Sequence, residues 1–238
     1  MSYIFKIFAP LLYKGSNVEC PVCERKFSKF LSYGSYVAHR DNVLCPYDLT
    51  LERHRLMWLY LKNESNFFTA EKLDVLHIAP EQCFHSKFKV QKNLNYVTGD
   101  LVSPLADLHF DLHQIPLEDN RFDVVFCNHV MEHVDDPNQC MKELFRVMRP
   151  GGWAIMQVPQ DMSRETTYED RSIIDPAERE KHFWQKDHLR LFGKDYPNWL
   201  EKVGFTIEIF NVQKNFDKQV VDRFRLMKEE LLYIANKN

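Results

Sequence analysis

Several polar residues in this chain stand directly after apolar runs, where a strand would end and a ligand could be met. Asp100 follows Asn95-Tyr96-Val97-Thr98-Gly99. Asp111 follows Leu108-His109-Phe110. Asn128 and His129 follow Phe122-Asp123-Val124-Val125-Phe126-Cys127. A carboxylate at the first place can accept both hydroxyls of a ribose, and Asp100 can equally be a turn residue after Gly99. A carboxylate at the second can accept an exocyclic amine while Leu112 covers the ring. Asn128 and His129 would face the reacting end of such a ligand. A second set lies nearer the start: Cys20-Pro21-Val22-Cys23 and Cys45-Pro46-Tyr47-Asp48. Two close pairs held apart by a loop can wrap a tetrahedral ion, with Asp48 where a fourth cysteine would stand. His39 or His54 could supply that ligand instead. The same cysteines could also fill an eroded ribbon that folds without metal, as small apolar side chains. Cys83, Cys127 and Cys140 fall in expected regular elements and read as core.

The elements that must position these residues change character near residue 72. Before it come the Cys-Pro pairs and an amphipathic stretch from Leu49 to Leu61. After it, strands and helices alternate. Leu73 to Ala79 reads as a buried strand, and Glu81 to Gln91 as a helix with Pro80 at its first turn. Phe122 to Cys127 is a near-continuous apolar run of the kind found inside a parallel sheet. Asn138 to Met148 reads as an amphipathic helix, Trp153 to Val158 as a fifth strand, and Asn198 to Val203 as a helix stopped by Gly204. Phe205 to Phe210 and Leu231 to Ala235 read as the last two strands, joined by a loop-like link and pairing antiparallel. Alternating βα units imply a parallel sheet with right-handed crossovers. The expected domains are residues 1–65, an N-terminal helix and cysteine module, and 66–238, the α/β domain.

The chain has 238 residues, 45% of them apolar and 27% charged, with a formal net charge of −3. That balance lacks the basic footprint of a nucleic-acid enzyme, although Arg53, His54 and Arg55 cluster. No apolar run reaches the 18 or so residues of a transmembrane helix. Ile4, Ile7, Phe8, Leu11 and Leu12 recur at helical spacing and read as a short helix packed on the domain. Six cysteines without a secretory signal point to a reducing compartment, hence the cytoplasm.

In order along the chain stand Asp111-Leu112-His113-Gln114-Ile115-Pro116, Asn120-Arg121-Phe122-Asp123-Val124-Val125, His129-Val130-Met131-Glu132-His133-Val134 and Leu144-Phe145-Arg146-Val147-Met148-Arg149-Pro150-Gly151-Gly152. In order and spacing these resemble the class I S-adenosylmethionine (SAM)-dependent methyltransferases, strongly over residues 73–160 and more loosely over the last strands. The resemblance implies a Rossmann-like α/β fold with a seven-stranded sheet of order 3-2-1-4-5-7-6 and an antiparallel last strand. It implies SAM as cofactor, held by Ala79, Glu81, Asp100, Leu101, Asp111, Leu112, Asn128 and His129. Most of the family has a glycine-rich loop after the first strand; here it is His77-Ile78-Ala79-Pro80-Glu81. A helix beginning at Pro80 still offers N–H groups to a carboxylate, and Glu81 could pair with the SAM ammonium. With this loop and its cysteine pairs, the chain most resembles a bacterial subgroup with an N-terminal zinc-ribbon-like module. Zinc at Cys20, Cys23, Cys45 and Asp48 is therefore the second expected cofactor.

The polar stretch from Pro159 to Pro197 interrupts the βα pattern and is expected to supply the acceptor pocket, through Tyr168, His182, Gln185, Asp187, His188 and Arg190. A neutral imidazole suits proton removal near pH 7, and His188 and His129 are the expected catalytic pair. The leading reading is methyl transfer to a polar small molecule, a sugar or another biosynthetic intermediate, with no nucleic acid and no membrane as partner. A homodimer is compatible with it. The alternatives are an RNA methyltransferase gripping its substrate with the zinc module and Arg53-His54-Arg55, and a non-catalytic interaction protein on a methyltransferase fold.

Overall fold

Two short hairpins open the structure. Strand β1 (Lys14–Cys20) pairs antiparallel with β2 (Arg25–Phe27), and β3 (Leu31–Tyr33) with β4 (Arg40–Leu44). Helix α1 (Glu52–Asn63) follows and buries Leu56, Met57, Leu59, Tyr60 and Leu61. In this computed structural model residues 8, 11–34 and 39–238 are described. The helix expected from Tyr3 to Leu12 lies mostly outside them; Phe8, Leu11 and Leu12 are described and exposed.

The chain divides into two compact units. One takes in the described residues up to Glu71 and Phe210–Leu232; the other is Lys72–Ile209 with Tyr233–Asn238. The first unit therefore includes a stretch near the C-terminus, where the sequence suggested a single break at residue 65.

In the second unit, β5 (Leu73–Ile78) leads through α2 (Gln82–Lys89) to β6 (Leu94–Asp100), then to β7 (Leu108–His109) and β8 (Phe122–Cys127). β5 and β8 are buried along almost their whole length, as interior parallel strands are. Helix α3 (Pro137–Val147) has Pro137 in its first turn, and the Asp136 carboxylate accepts from the Gln139 N–H. It ends where β9 (Met148–Ile155) begins. β9 starts earlier than the apolar run from Trp153 suggested. Arg149-Pro150-Gly151-Gly152 forms an irregularity between Phe122↔Met148 and Val124↔Trp153, with Gly151 at φ 82°.

The insertion after β9 carries β10 (Tyr168–Glu169), α4 (Pro176–Phe183) and β11 (Arg190–Leu191), with β10 and β11 paired antiparallel. Helix α5 (Tyr196–Val203) ends at Gly204, φ 118°. β12 (Thr206–Asn211) is followed by α6 (Val212–Asn215) and α7 (Lys218–Phe224), not by the expected loop-like link. Asn211 caps α6 and Asp217 caps α7. β13 (Leu231–Asn236) completes a seven-stranded sheet of order β12-β13-β9-β8-β5-β6-β7. The pairs from β7 through β9 are parallel, and β13 runs antiparallel to β9. Among the described residues no helix is long and apolar enough to cross a membrane.

Candidate functional site

Strand register builds one edge of the site. Ile78 stands opposite Gly99 on one side and Cys127 on the other, so Ala79, Asp100 and Asn128 leave the sheet side by side. Ala79 donates its N–H to the Gly99 carbonyl at 2.9 Å and sits at φ 49°. That left-handed conformation costs a residue with a Cβ about 1–2 kcal/mol. The glycine-free loop thus keeps a glycine-like backbone with only a methyl group at its turn.

Glu81 turns its carboxylate toward this edge. Its Oε2 accepts from Asn128 Nδ2 at 3.2 Å and lies 3.3 Å from His77 Nε2. His77 Nδ1 is 2.8 Å from the Tyr96 hydroxyl, and Asn128 Oδ1 accepts from the Gln157 N–H at 3.2 Å. Burial pushes the Tyr96 phenol up, so it stays neutral. His77, Tyr96 and Gln157 were not foreseen as parts of the site. Only the register that puts Tyr96 opposite Val75 brings its ring to His77.

Asp100 closes β6. Its Oδ1 accepts from the Val102 N–H at 2.8 Å and the Ser103 N–H at 2.7 Å, which leaves Oδ2 without a protein partner among the described residues. Leu101 beside it is exposed. Asp111 lies just past β7, exposed, its Oδ1 accepting from the His113 N–H at 2.9 Å and 2.6 Å from His113 Nδ1. The His113 N–H and ring hold its carboxyl below the usual carboxylate range. Leu112 is buried. Carboxylate oxygens for a ribose and an ammonium beside a turn that can bring N–H groups to a carboxylate suit a nucleoside carrying an amino acid, as SAM does.

A cluster of imidazoles follows β8. His129, at φ 55°, donates its N–H to the Gln157 carbonyl at 2.7 Å, and its Nδ1 is 3.3 Å from Glu132 Oε1. His133 Nε2 is 3.9 Å from the same oxygen, while its Nδ1 is 3.3 Å from both the backbone carbonyl and Oδ2 of Asp187. His188 is 1% exposed, edge-on to His133 with ring centroids 4.7 Å apart. Its Nδ1 is 2.7 Å from the Phe183 carbonyl. Burial holds the His188 imidazole below its ordinary value, so the ring is neutral.

The other expected acceptor residues separate into two groups. Tyr168 and His182 meet, hydroxyl to Nδ1, at 3.1 Å, and Gln185 and Asp187 are exposed. Arg190 is fully buried. Its guanidinium donates to the carbonyls of Met131, Val134 and Asp135 and to the Glu169 carboxylate. It therefore holds the turn that bears Glu132 and His133 and has no donor left for an acceptor.

In the first unit, Cys20, Cys23, Cys45 and Asp48 each offer one ligand atom, all within 4.8 Å of one another. The two loops share one geometry. Glu24 donates its N–H to the Cys20 carbonyl and Leu49 to the Cys45 carbonyl, and Glu24 and Leu49 both have φ near 60°. Cys23 and Cys45 sulfurs are 3.8 Å apart, and Cys20 Sγ is 3.4 Å from Asp48 Oδ2. A tetrahedral zinc with bonds of about 2.3 Å to sulfur and 2.0 Å to oxygen sets these distances at about 3.8 and 3.5 Å. Burial works against a Cys20 thiolate, but hydrogen bonds from Cys23, Cys45 and Thr50 outweigh it and hold Cys20 below the ordinary thiol value. The two alternative ligands are engaged elsewhere: His39 Nε2 is 3.2 Å from Asp41, and His54 Nδ1 accepts from the Leu51 N–H. Nor do Arg53, His54 and Arg55 form a basic surface. His54 and Arg55 are buried, and Arg55 donates to the carbonyls of Val43, Thr50, Phe224 and Arg225. Cys127 and Cys140 are core; Cys83 is half-buried.

Comparison with known proteins gives this edge a context. Residues 70–156 match a family described as methyltransferase domain. A probable SAM-dependent methyltransferase of Mycolicibacterium smegmatis is 42% identical over 57 residues, which is 24% of this chain and 22% of that protein. A tRNA U34 carboxymethyltransferase of Nautilia profundicola is 28% identical over 120 residues, 44% of this chain and 39% of that one. The matched stretches span 17% to 39% of the curated relatives' own lengths. The solved [4+2]-cyclase SpnF shares the fold, with a TM-score of 0.56 at 13% identity over 98% of this chain and 94% of that one. The stretch that matches the methyltransferase-domain family, residues 70–156, contains the strands that present Ala79, Asp100 and Asn128.

Proposed function

We propose that the protein is a SAM-dependent methyltransferase acting on a polar small molecule, a sugar or another biosynthetic intermediate. The observation that carries this reading is the edge at which Ala79, Asp100 and Asn128 leave adjacent strands of the stretch that matches the methyltransferase-domain family. SAM, when bound, supplies an already activated methyl group on its sulfonium. Asp100 Oδ2 holds the ribose with Leu101 alongside, Asp111 and Leu112 meet the adenine, and the Ala79 turn with Glu81 and Asn128 takes the amino-acid end. His129, partly exposed and oriented by Glu132, takes the proton from an acceptor hydroxyl or ammonium near pH 7. His188 is the second candidate base, neutral but enclosed. Tyr168, His182, Gln185 and Asp187 orient the acceptor. Zinc held by Cys20, Cys23, Cys45 and Asp48 braces the first unit.

An RNA acceptor has one specific support, the tRNA-modifying relative. The net charge of −3 and the burial of His54 and Arg55 count against it. The test supplies methyl-labelled SAM with a cell extract separated into small-molecule and RNA fractions. Label in a small molecule is expected. Label confined to RNA replaces the leading reading with the second, and no label in either removes both.

A further inference from the structure

Glu132, His133 and His188 each offer one ligand atom within 4.8 Å of the others. The geometry points to a divalent transition-metal site built from these three residues, separate from the cysteine cluster. Binding of the ion is independent of methyl transfer; only its use in that reaction rests on the function proposed above.

Both imidazoles are held as metal ligands are held. A carbonyl oxygen can only accept, so the Phe183 carbonyl 2.7 Å from His188 Nδ1 fixes the proton there and leaves the lone pair on Nε2. His133 Nδ1 is 3.3 Å from the Asp187 backbone carbonyl, which likewise fixes the proton there, and its Nε2 is the nitrogen nearer Glu132. A backbone carbonyl behind each imidazole, Phe183 behind His188 and Asp187 behind His133, is the outer shell that orients metal-binding histidines. His188 Nε2 is buried and has no hydrogen-bond partner among the described residues. A polar atom left so is destabilising unless something meets its lone pair, and a cation would.

The backbone around the cluster is tied in place. The Leu189 N–H donates to the Glu132 carbonyl at 2.8 Å, which sets His188 beside the Glu132-His133 turn. Arg190 grips the same turn through the Met131 carbonyl at 2.7 Å. Two imidazoles and one carboxylate suit iron, cobalt or zinc and leave coordination positions open. With bonds of about 2.1 Å, two donors on one ion lie at most about 4.2 Å apart. The set therefore closes slightly on loading, which rotation of the part-exposed His133 allows. An acceptor hydroxyl on an open position would become more acidic.

The test adds Co²⁺ to the full-length protein after dialysis against a weak chelator, without SAM or acceptor, so a negative result leaves methyl transfer untouched. Cobalt on the cysteine cluster gives an intense thiolate charge-transfer band; cobalt on imidazole and carboxylate gives only weak visible bands. Expected is an equivalent of the second kind, weakened about 100-fold or more by His188→Ala or Glu132→Gln. His133→Ala, at a part-exposed position, repeats the test should the buried variants fail to fold. A wild-type protein that binds cobalt only with the thiolate signature overturns the site. So does a second equivalent that survives His133→Ala and Glu132→Gln.

Discussion

In the function proposed above, Asp100 does two things with two oxygens, and they can be separated. Oδ1 accepts the Val102 and Ser103 N–H groups and so shapes the loop; Oδ2 is assigned to the ribose. Asp100→Asn keeps an acceptor oxygen for both N–H groups and exchanges the charged oxygen for an amide nitrogen. A hydrogen bond to a charged group contributes about 1.5–3 kcal/mol. SAM should therefore bind roughly 10- to 150-fold more weakly, with the melting temperature almost unchanged. Asp100→Ala removes both functions. It should lose the same affinity and about 1–3 kcal/mol of stability as well, from two partly exposed loop hydrogen bonds. Calorimetric titration with SAM and thermal unfolding, run on both variants, give the two numbers. An Asp100→Asn protein that binds SAM as tightly as the wild type would refute the assignment of Oδ2 to the ribose.

Arg190→Met should strip donors from the Met131 and Val134 carbonyls and leave Glu169 with only the exposed Arg171 as partner, at a cost of about 2–4 kcal/mol. Urea unfolding that shifts by less than about 1 kcal/mol would show that the clamp is dispensable. Ala79→Gly should keep SAM affinity within a few-fold and not lower stability, because glycine takes φ 49° without strain, whereas Ala79→Val should unfold at a clearly lower temperature. The purified protein should carry about one zinc per chain on the cysteine cluster, and Cys23→Ser should lower its thermal stability. Elemental analysis finding no metal in protein never exposed to chelator would contradict that.

What the sequence made legible is what local pattern controls. β5 and β8 could be read because interior parallel strands are apolar on both faces, and α3 because its apolar stripe is capped by Asp136 and Pro137. The short hairpins β1 to β4 gave no such signal, since three to seven residues with one wet face look like loop. α6 and α7 were missed although Asn211 and Asp217 are ordinary capping residues, because each helix is too short to show a stripe. In the site, Asp100 and Asn128 follow from position alone. The orientation of the insertion does not. His188 and Arg190 are as polar as Gln185 and Asp187, yet the first two turn inward and the second two outward. His129-x-x-Glu132-His133 did hold a usable signal, since residues three apart on one turn can meet.

The central claim is that the edge formed by Ala79, Asp100 and Asn128 holds SAM, and a crystal structure with S-adenosylhomocysteine tests it most directly. The expected result is a nucleoside along that edge, its ribose hydroxyls on Asp100 Oδ2 and its amino-acid end at the Ala79 turn beside Glu81. A ligand seated elsewhere, or crystals that take up none at millimolar concentration, would contradict the claim.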